Sequence, residues 1–227
     1  GAVALLIGIS FSNPINAQYF FPPIQNPFGI SNSWIDVKCP SVADLDDDGD
    51  LDILLSDYSS TSTAYGDAFS YQENIGTSTN PQFSAPLINP FGLPIILTPW
   101  WQEQYHNLVD IDNDNDFDLL VNLHHLDSNE YIYYENIGTS ISPLFSNPIS
   151  NPFGLVTRIG GEVSEFSDID NDGDMDMIST ESATMYDTCN LIFFENIGTP
   201  TGPLFGTPQT NPFGLTPLMV SQSVQAS

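Results

Sequence analysis

The stretch "DLDDDGDLD", Asp44–Asp52, places six aspartates in nine positions with no basic residue among them. Two further stretches share its frame, "DIDNDNDFD" from Asp110 and "DIDNDGDMD" from Asp168. Numbering each from its first aspartate, positions one, three, five and nine are Asp44, Asp46, Asp48 and Asp52; Asp110, Asp112, Asp114 and Asp118; Asp168, Asp170, Asp172 and Asp176. Position six holds Gly49, Asn115 and Gly173, residue types that tolerate the positive φ of a sharp turn. A motif that keeps its register three times implies a repeated unit, and two other markers confirm the period. "NPFG" starts at Asn26, Asn89, Asn151 and Asn211, at spacings of 63, 62 and 60 residues. "ENIGT" starts at Glu73, Glu135 and Glu195, each followed by a Pro-x-Phe: Pro81 and Phe83, Pro143 and Phe145, Pro203 and Phe205.

Between the markers the apolar residues form short runs separated by turn residues. In the first unit these runs are Trp34–Val42, Leu51–Leu55, Phe69–Gln72 and Phe83–Ile88, and none has helical periodicity with caps. Four short strands in about 60 residues make one blade-like sheet, which buries little alone and needs neighbours. The expected fold is therefore all-β, a propeller-like array of four-stranded blades. Its units run about 26–88, 89–150 and 151–210, with a partial unit at 211–227 and the end of a preceding one before Asn26.

Charge narrows the function. The chain has 29 acidic residues against two basic ones, Lys38 and Arg158, for a net charge of -27. That excludes nucleic acid and anionic lipid surfaces as partners. Disorder is countered by 15 Phe, 9 Tyr and 3 Trp, residues that are costly to leave in water. Sixteen of the acids lie in the three loops, six in the first and five in each of the others. Alternating carboxylates on a tight loop converge on one point, and oxygen ligands at that density suit Ca²⁺, which takes about 6–8 of them. Mg²⁺ prefers fewer carboxylates and more water, and the loops lack the His or Cys that zinc or copper would want. Position seven, Asp50, Asp116 and Asp174, is expected to ligate through its carbonyl with its side chain toward water. An EF-hand is excluded, because its twelfth position would be Leu55, Val121 or Ser179 instead of Glu, and the flanks read as strands. Three calcium sites are expected.

The pattern Asp-x-Asp-x-Asp-Gly-x-x-Asp followed by an apolar strand, then "YQENIGTSTNPQF", "YYENIGTSISPLF" or "FFENIGTPTGPLF", resembles the FG-GAP or VCBS repeat family over residues 18–227. These are the blades of integrin α-subunit-type propellers and of many secreted bacterial proteins. The resemblance implies a structural calcium in the hairpin between the first two strands of each blade, held by the twelve aspartates at positions one, three, five and nine. It also implies an extracellular protein of adhesion, carbohydrate binding or the cell surface. Asn115 departs from the family's glycine, and three complete loops are fewer than its propellers usually carry.

At the N-terminus, residues 1–17 resemble the later part of a secretory signal peptide, with an apolar run Ala2–Phe11 and a small residue at Ala17, but with no basic region or initiator Met. The chain thus reads as truncated at its start. The run is too short to span a bilayer as a helix, and it equally suits a donated strand buried on both faces. A fourth Asp loop would fall near residue 228, so the two ends read as complementary half-blades. Either they close a ring, or they join copies head to tail into a filament, or the chain is a fragment of a longer array.

Catalysis finds little support. His106, His124 and His125 all fall in the second unit, without counterparts or an accompanying nucleophile motif, and read as chance surface residues. Cys39 and Cys189 occupy different places in their units and are expected to stay unbonded. Trp34, Trp100 and Arg158 lie ten residues before each loop, with Trp101 adjacent to the second. They could form a sugar-stacking platform, or simply pack between blades. The expected function is a secreted, calcium-stabilised binding, adhesion or structural module for glycan or protein, without catalysis. The alternatives are a self-assembling filament subunit and, more remotely, a polysaccharide lyase or hydrolase.

Overall fold

The computed structural model describes residues 22, 24–30, 37–60, 65–96, 103–124, 129–156, 161–182 and 188–219. The N-terminal segment 1–17 lies outside them, as do Trp34, Trp100, Trp101, Arg158 and His125. The architecture is all-β. Strands β1 (Val37–Ala43), β2 (Asp52–Ser60), β3 (Tyr65–Gln72) and β4 (Leu87–Ile88) form one antiparallel sheet in sequential order. The same meander recurs in β5 (Glu103–Val109), β6 (Asp118–His124), β7 (Asn129–Tyr134) and β8 (Ile149–Ser150). It recurs again in β9 (Gly161–Ser167), β10 (Asp176–Ser182), β11 (Thr188–Phe194) and β12 (Gln209–Thr210), where β13 (Leu218–Met219) adds to β11 beyond β12. Each unit anticipated from the repeats is thus one four-stranded sheet, and none of the three closes into a barrel.

The core lies between the sheets. In β6 the consecutive residues Leu119, Leu120 and Val121 are all buried, which a one-sided sheet would not allow. Strand alternation divides them: Leu119 and Val121 pack with Leu45, Leu54, Phe69 and Tyr71 of the first sheet, whereas Leu120 packs with Met177, Ile192 and Phe194 of the third. Tyr134 and Tyr133 divide in the same way. The first strands of successive sheets also touch. Ser41 donates to the His106 carbonyl at 2.9 Å, and one repeat later Asn107 donates to the Ser164 carbonyl at 2.8 Å. The donors sit three residues before their Asp loops and the acceptors four before theirs, so the interface keeps repeat register.

The NPFG motif links one unit to the next. Asn89, Asn151 and Asn211 take the left-handed conformation, at φ 48°, 48° and 49°. Each bonds one residue of the third strand twice. The Asn89 N–H donates to the Phe69 carbonyl at 2.7 Å, and its Oδ1 accepts the Phe69 N–H at 3.1 Å; Asn151 does the same with Tyr131 and Asn211 with Leu191. The Phe of the motif is also left-handed, at φ 56–57°. Its carbonyl accepts from the Pro-x-Phe turn of the sheet that comes after it in the chain: Phe28 from Phe83 at 2.9 Å, Phe91 from Phe145 at 2.9 Å and Phe153 from Phe205 at 2.8 Å.

In the ENIGT turn, a Cβ on Gly76 would lie 2.5 Å from the Asn80 carbonyl oxygen and 2.6 Å from the Gln82 nitrogen. Both are backbone atoms and cannot rotate away. Gly76→Ala is therefore expected to destabilise the chain by about 1–3 kcal/mol, read by chemical denaturation; an unchanged midpoint would show that the turn opens freely.

Candidate metal centres

Each Asp loop joins the first two strands of its sheet, so antiparallel pairing of β1 with β2, β5 with β6 and β9 with β10 holds its ends together. Within the loop the carboxylates organise the backbone. Asp44 accepts the Asp48 N–H at 3.1 Å through Oδ1 and the Gly49 N–H at 3.0 Å through Oδ2. Asp110 accepts from Asp114 and Asn115 in the same way, and Asp168 from Asp172 and Gly173, all at 3.1 Å. Asp48, Asp114 and Asp172 accept the position-seven N–H at 3.1, 3.1 and 3.2 Å. Position six has positive φ as its residue types predict, at 94°, 72° and 99°. A second left-handed residue at position four, Asp47, Asn113 or Asn171 (φ 55°, 58° and 64°), was not anticipated. Its signal in the sequence is the Asp or Asn found there each time, since both types tolerate that region.

The two left-handed residues coil the loop so that its odd positions face inward. Oxygens of Asp44, Asp46 and Asp48 lie within 4.8 Å of one another, as do those of Asp110, Asp112 and Asp114, and of Asp168, Asp170 and Asp176. The expectation that position seven points its side chain into water is corrected. Asp50, Asp116 and Asp174 are 7%, 8% and 6% exposed, because the turn at position six swings the side chain back into the loop. Their Oδ1 atoms are buried with no hydrogen-bond donor among the described residues, and so are those of Asp46 and Asp112. A buried carboxylate oxygen without a donor is costly, and a cation is the one ligand that satisfies several at once. This donor set, all oxygen and mostly charged, fits a hard divalent ion.

Position nine is also held by the sheet. Asp52 accepts the Leu45 N–H at 3.2 Å, the Tyr71 hydroxyl at 2.9 Å and the Asn74 N–H at 2.8 Å. Asp118 accepts from Tyr133 and Asn136 at 2.9 and 2.8 Å, and Asp176 from Ile169 and Asn196 at 3.1 and 2.8 Å. The Asn of ENIG is thereby a hub that sequence reasoning took only for a turn marker. While its N–H holds the loop, the Asn74 Oδ1 accepts the N–H groups of Gly76 and Gln82 at 3.1 and 2.9 Å, and Asn136 and Asn196 repeat the arrangement.

Other candidates resolve differently. His106 is 2% exposed, so its assignment to the surface is corrected: strand alternation turns it into the interface between the first two sheets. There its Nε2 donates to the Leu54 carbonyl at 3.2 Å, the ring meets Phe69 edge-on at 5.7 Å, and burial lowers its pKa to about 4. The side chain of His124 lies outside the described residues, as does that of Cys39; Cys189 carries a free thiol. The Trp and Arg platform also falls outside them. Among the described residues no helix is long and apolar enough to cross a membrane.

Burial, followed by the neighbouring carboxylates, raises Asp116 and Asp174 to about 6. Burial raises Asp52 to about 6 and Asp118 to about 7, against the lowering effect of their hydrogen bonds. A raised folded-state pKa means that the folded chain holds protons the unfolded chain has released, so ionisation works against folding. The stabilisation is complete below about pH 4 and is lost as pH rises through 6 to 7. In a chelator, the melting temperature is therefore expected to fall between pH 4.5 and pH 7.5; a rise over that interval would contradict the crowding of carboxylates in the loops.

No family model, curated protein or solved structure matches the chain in comparison with known proteins.

Proposed function

We propose that the chain is a calcium-stabilised, non-catalytic repeat module of the extracellular space that binds glycan or protein or serves a structural role. The observation that carries this reading is the set of buried carboxylate oxygens that lack donors among the described residues, at position seven of all three loops and position three of the first two. Asp44, Asp46, Asp48 and Asp50 would hold the first ion, Asp110, Asp112, Asp114 and Asp116 the second, and Asp168, Asp170, Asp174 and Asp176 the third, with Asp172 at the rim. Calcium is favoured over magnesium because it accepts many carboxylates at variable angles. The ion would supply charge compensation and crosslink each hairpin, with no reaction to perform. Membership of the FG-GAP or VCBS repeats is supported by the coincidence of the Asp frame with the β1–β2 hairpin connection, and a propeller-like succession by first strands that meet in repeat register. An acidic chain that depends on calcium suits a compartment where that ion is plentiful, hence the extracellular assignment.

A specific observation favours a second reading, assembly through the third sheet. Leu45, Leu93, Ile111 and Leu155 are 1–4% exposed because a following sheet covers them, whereas their repeat counterparts Ile169 and Leu215, beside the third sheet, are 36% and 41% exposed. Phe213 is 66% exposed, although it packs on Phe193 at 5.1 Å much as Phe91 packs on Tyr71 at 4.9 Å. A face of this shape accepts one more sheet of the same repeat.

Calorimetric titration with calcium is expected to give three bound ions per chain, with a rise in melting temperature at pH 7.5, since each site adds RT ln(1 + [L]/Kd), about 2.7 kcal/mol at a hundredfold excess over Kd. No heat and an unchanged melting curve would remove the cation reading. Size-exclusion chromatography in calcium separates the two readings of function: a monodisperse monomer counts against assembly, and polymers lost on Leu215→Asp support it.

A further inference from the structure

NPFG occurs four times, and among the described residues the two inner copies make a complete link. Asn89 and Asn151 each hold the third strand of the sheet before them by two bonds, and the carbonyls of Phe91 and Phe153 accept a turn N–H from the sheet after them. The motif at Asn211 keeps the first half. Asn211 bonds Leu191 at 2.7 and 3.0 Å, but the Phe213 carbonyl accepts no N–H among the described residues. The motif at Asn26 keeps the second half. The Phe28 carbonyl accepts the Phe83 N–H at 2.9 Å, but Asn26 holds no third strand among the described residues. The two outer motifs are complementary halves of one link.

The surfaces beside them are complementary as well. A cleft of about 360 Å³ opens on the first sheet, lined by Phe28, Ile30, Val42, Leu51 and Phe83, with Ser78 of the ENIGT turn. Val42 and Leu51 are 59% and 57% exposed. Their repeat counterparts are covered: Leu108 and Phe117 pack in one cluster with Leu45 and Tyr71 of the preceding sheet, and Phe166 and Met175 in another with Ile111 and Tyr133. Position two of an Asp loop therefore belongs against this cleft, and Ile169 is the position-two residue still exposed. Ser140 also donates to position four of the preceding loop, Asp47, at 3.3 Å, and its counterpart is Ser78 of the open cleft.

We propose that the third sheet of one copy docks on the first sheet of a second copy by exchange of this motif: Asn211–Leu215 takes the place of Asn26–Ile30, the Phe213 carbonyl accepts the partner's Phe83 N–H, and Ile169 fills the cleft. This deepens the assembly reading given above and rests on it. The bond that Phe28 gives up is remade by Phe213, as when an identical element is swapped between protomers, so the apolar surface covered is the net gain. Residues 26–30 are then a built-in competitor that must leave before the partner enters. The apparent affinity is lowered by the fraction of chains in which they have left.

Sedimentation velocity on the full chain in calcium tests it. The unmodified chain is expected to form larger species as its concentration rises. Val42→Asp, which charges the cleft, and Leu215→Asp, which charges the entering segment, should each stay monomeric. An equimolar mixture of the two should stop at a dimer, since it holds one intact cleft and one intact segment. Phe28→Ser loosens the competitor and should lower the concentration needed for assembly about tenfold, the scale set by an open state populated at roughly 10%. Assembly of Val42→Asp at the unmodified concentration would overturn the inference while leaving assembly through the third sheet intact, and so would weakened assembly of Phe28→Ser. If the melting curve of Val42→Asp shows a loss of folding, Ser78→Trp obstructs the cleft from the turn and should give the same monomer and the same mixed dimer. If the unmodified chain and Phe28→Ser both stay monomeric at every concentration, the assembly reading falls and this inference with it.

Discussion

The bond from the Asn74, Asn136 and Asn196 N–H groups to the ninth-position carboxylates, 2.8 Å in each unit, is the joint on which the rest of the sheet depends. On one side it fixes the end of an acidic loop whose members repel one another. On the other, the same asparagine closes the ENIGT turn through two backbone donors. The turn in turn delivers the Phe83 N–H, or that of Phe145 or Phe205, to the carbonyl of the preceding NPFG. Loop, turn and inter-unit link are thus one hydrogen-bonded series. Because the bonds at the asparagine are buried or half-buried, breaking one leaves the next without its partner, and such losses cost more than the bond alone.

Around this series the apolar residues do the bulk stabilising, and they do it between units. Burial of Leu119 and Val121 on one face of β6 and of Leu120 on the other makes the middle sheet dependent on both neighbours. A single unit would expose most of what it buries here, as in other repeat architectures. The same logic explains the uneven surface of the third unit. Ile169 and Leu215 occupy positions that are core wherever a further sheet follows.

Much of this was legible in the sequence because the repeats supply an internal comparison. The spacing of NPFG, ENIGT and the Asp frame marks the sheets, and β-type runs between turn residues give the strand order. Position six was readable from its Gly, Asn, Gly pattern. The inward side chain of position seven was not, since direction depends on backbone twist at positions four and six together. His106 was misread for a related reason: one histidine on an alternating strand has no repeat counterpart to reveal which face is covered.

By itself the sequence determined the all-β repeat, the length of each unit and the convergence of carboxylates at three loops, because each follows from local spacing and residue type. Only the tertiary structure decided which carboxylate oxygens are left without donors and which are satisfied by the sheet. Those outcomes depend on groups about 20 residues away, such as the Tyr71 hydroxyl on Asp52, and strand pairing alone brings them within hydrogen-bonding distance.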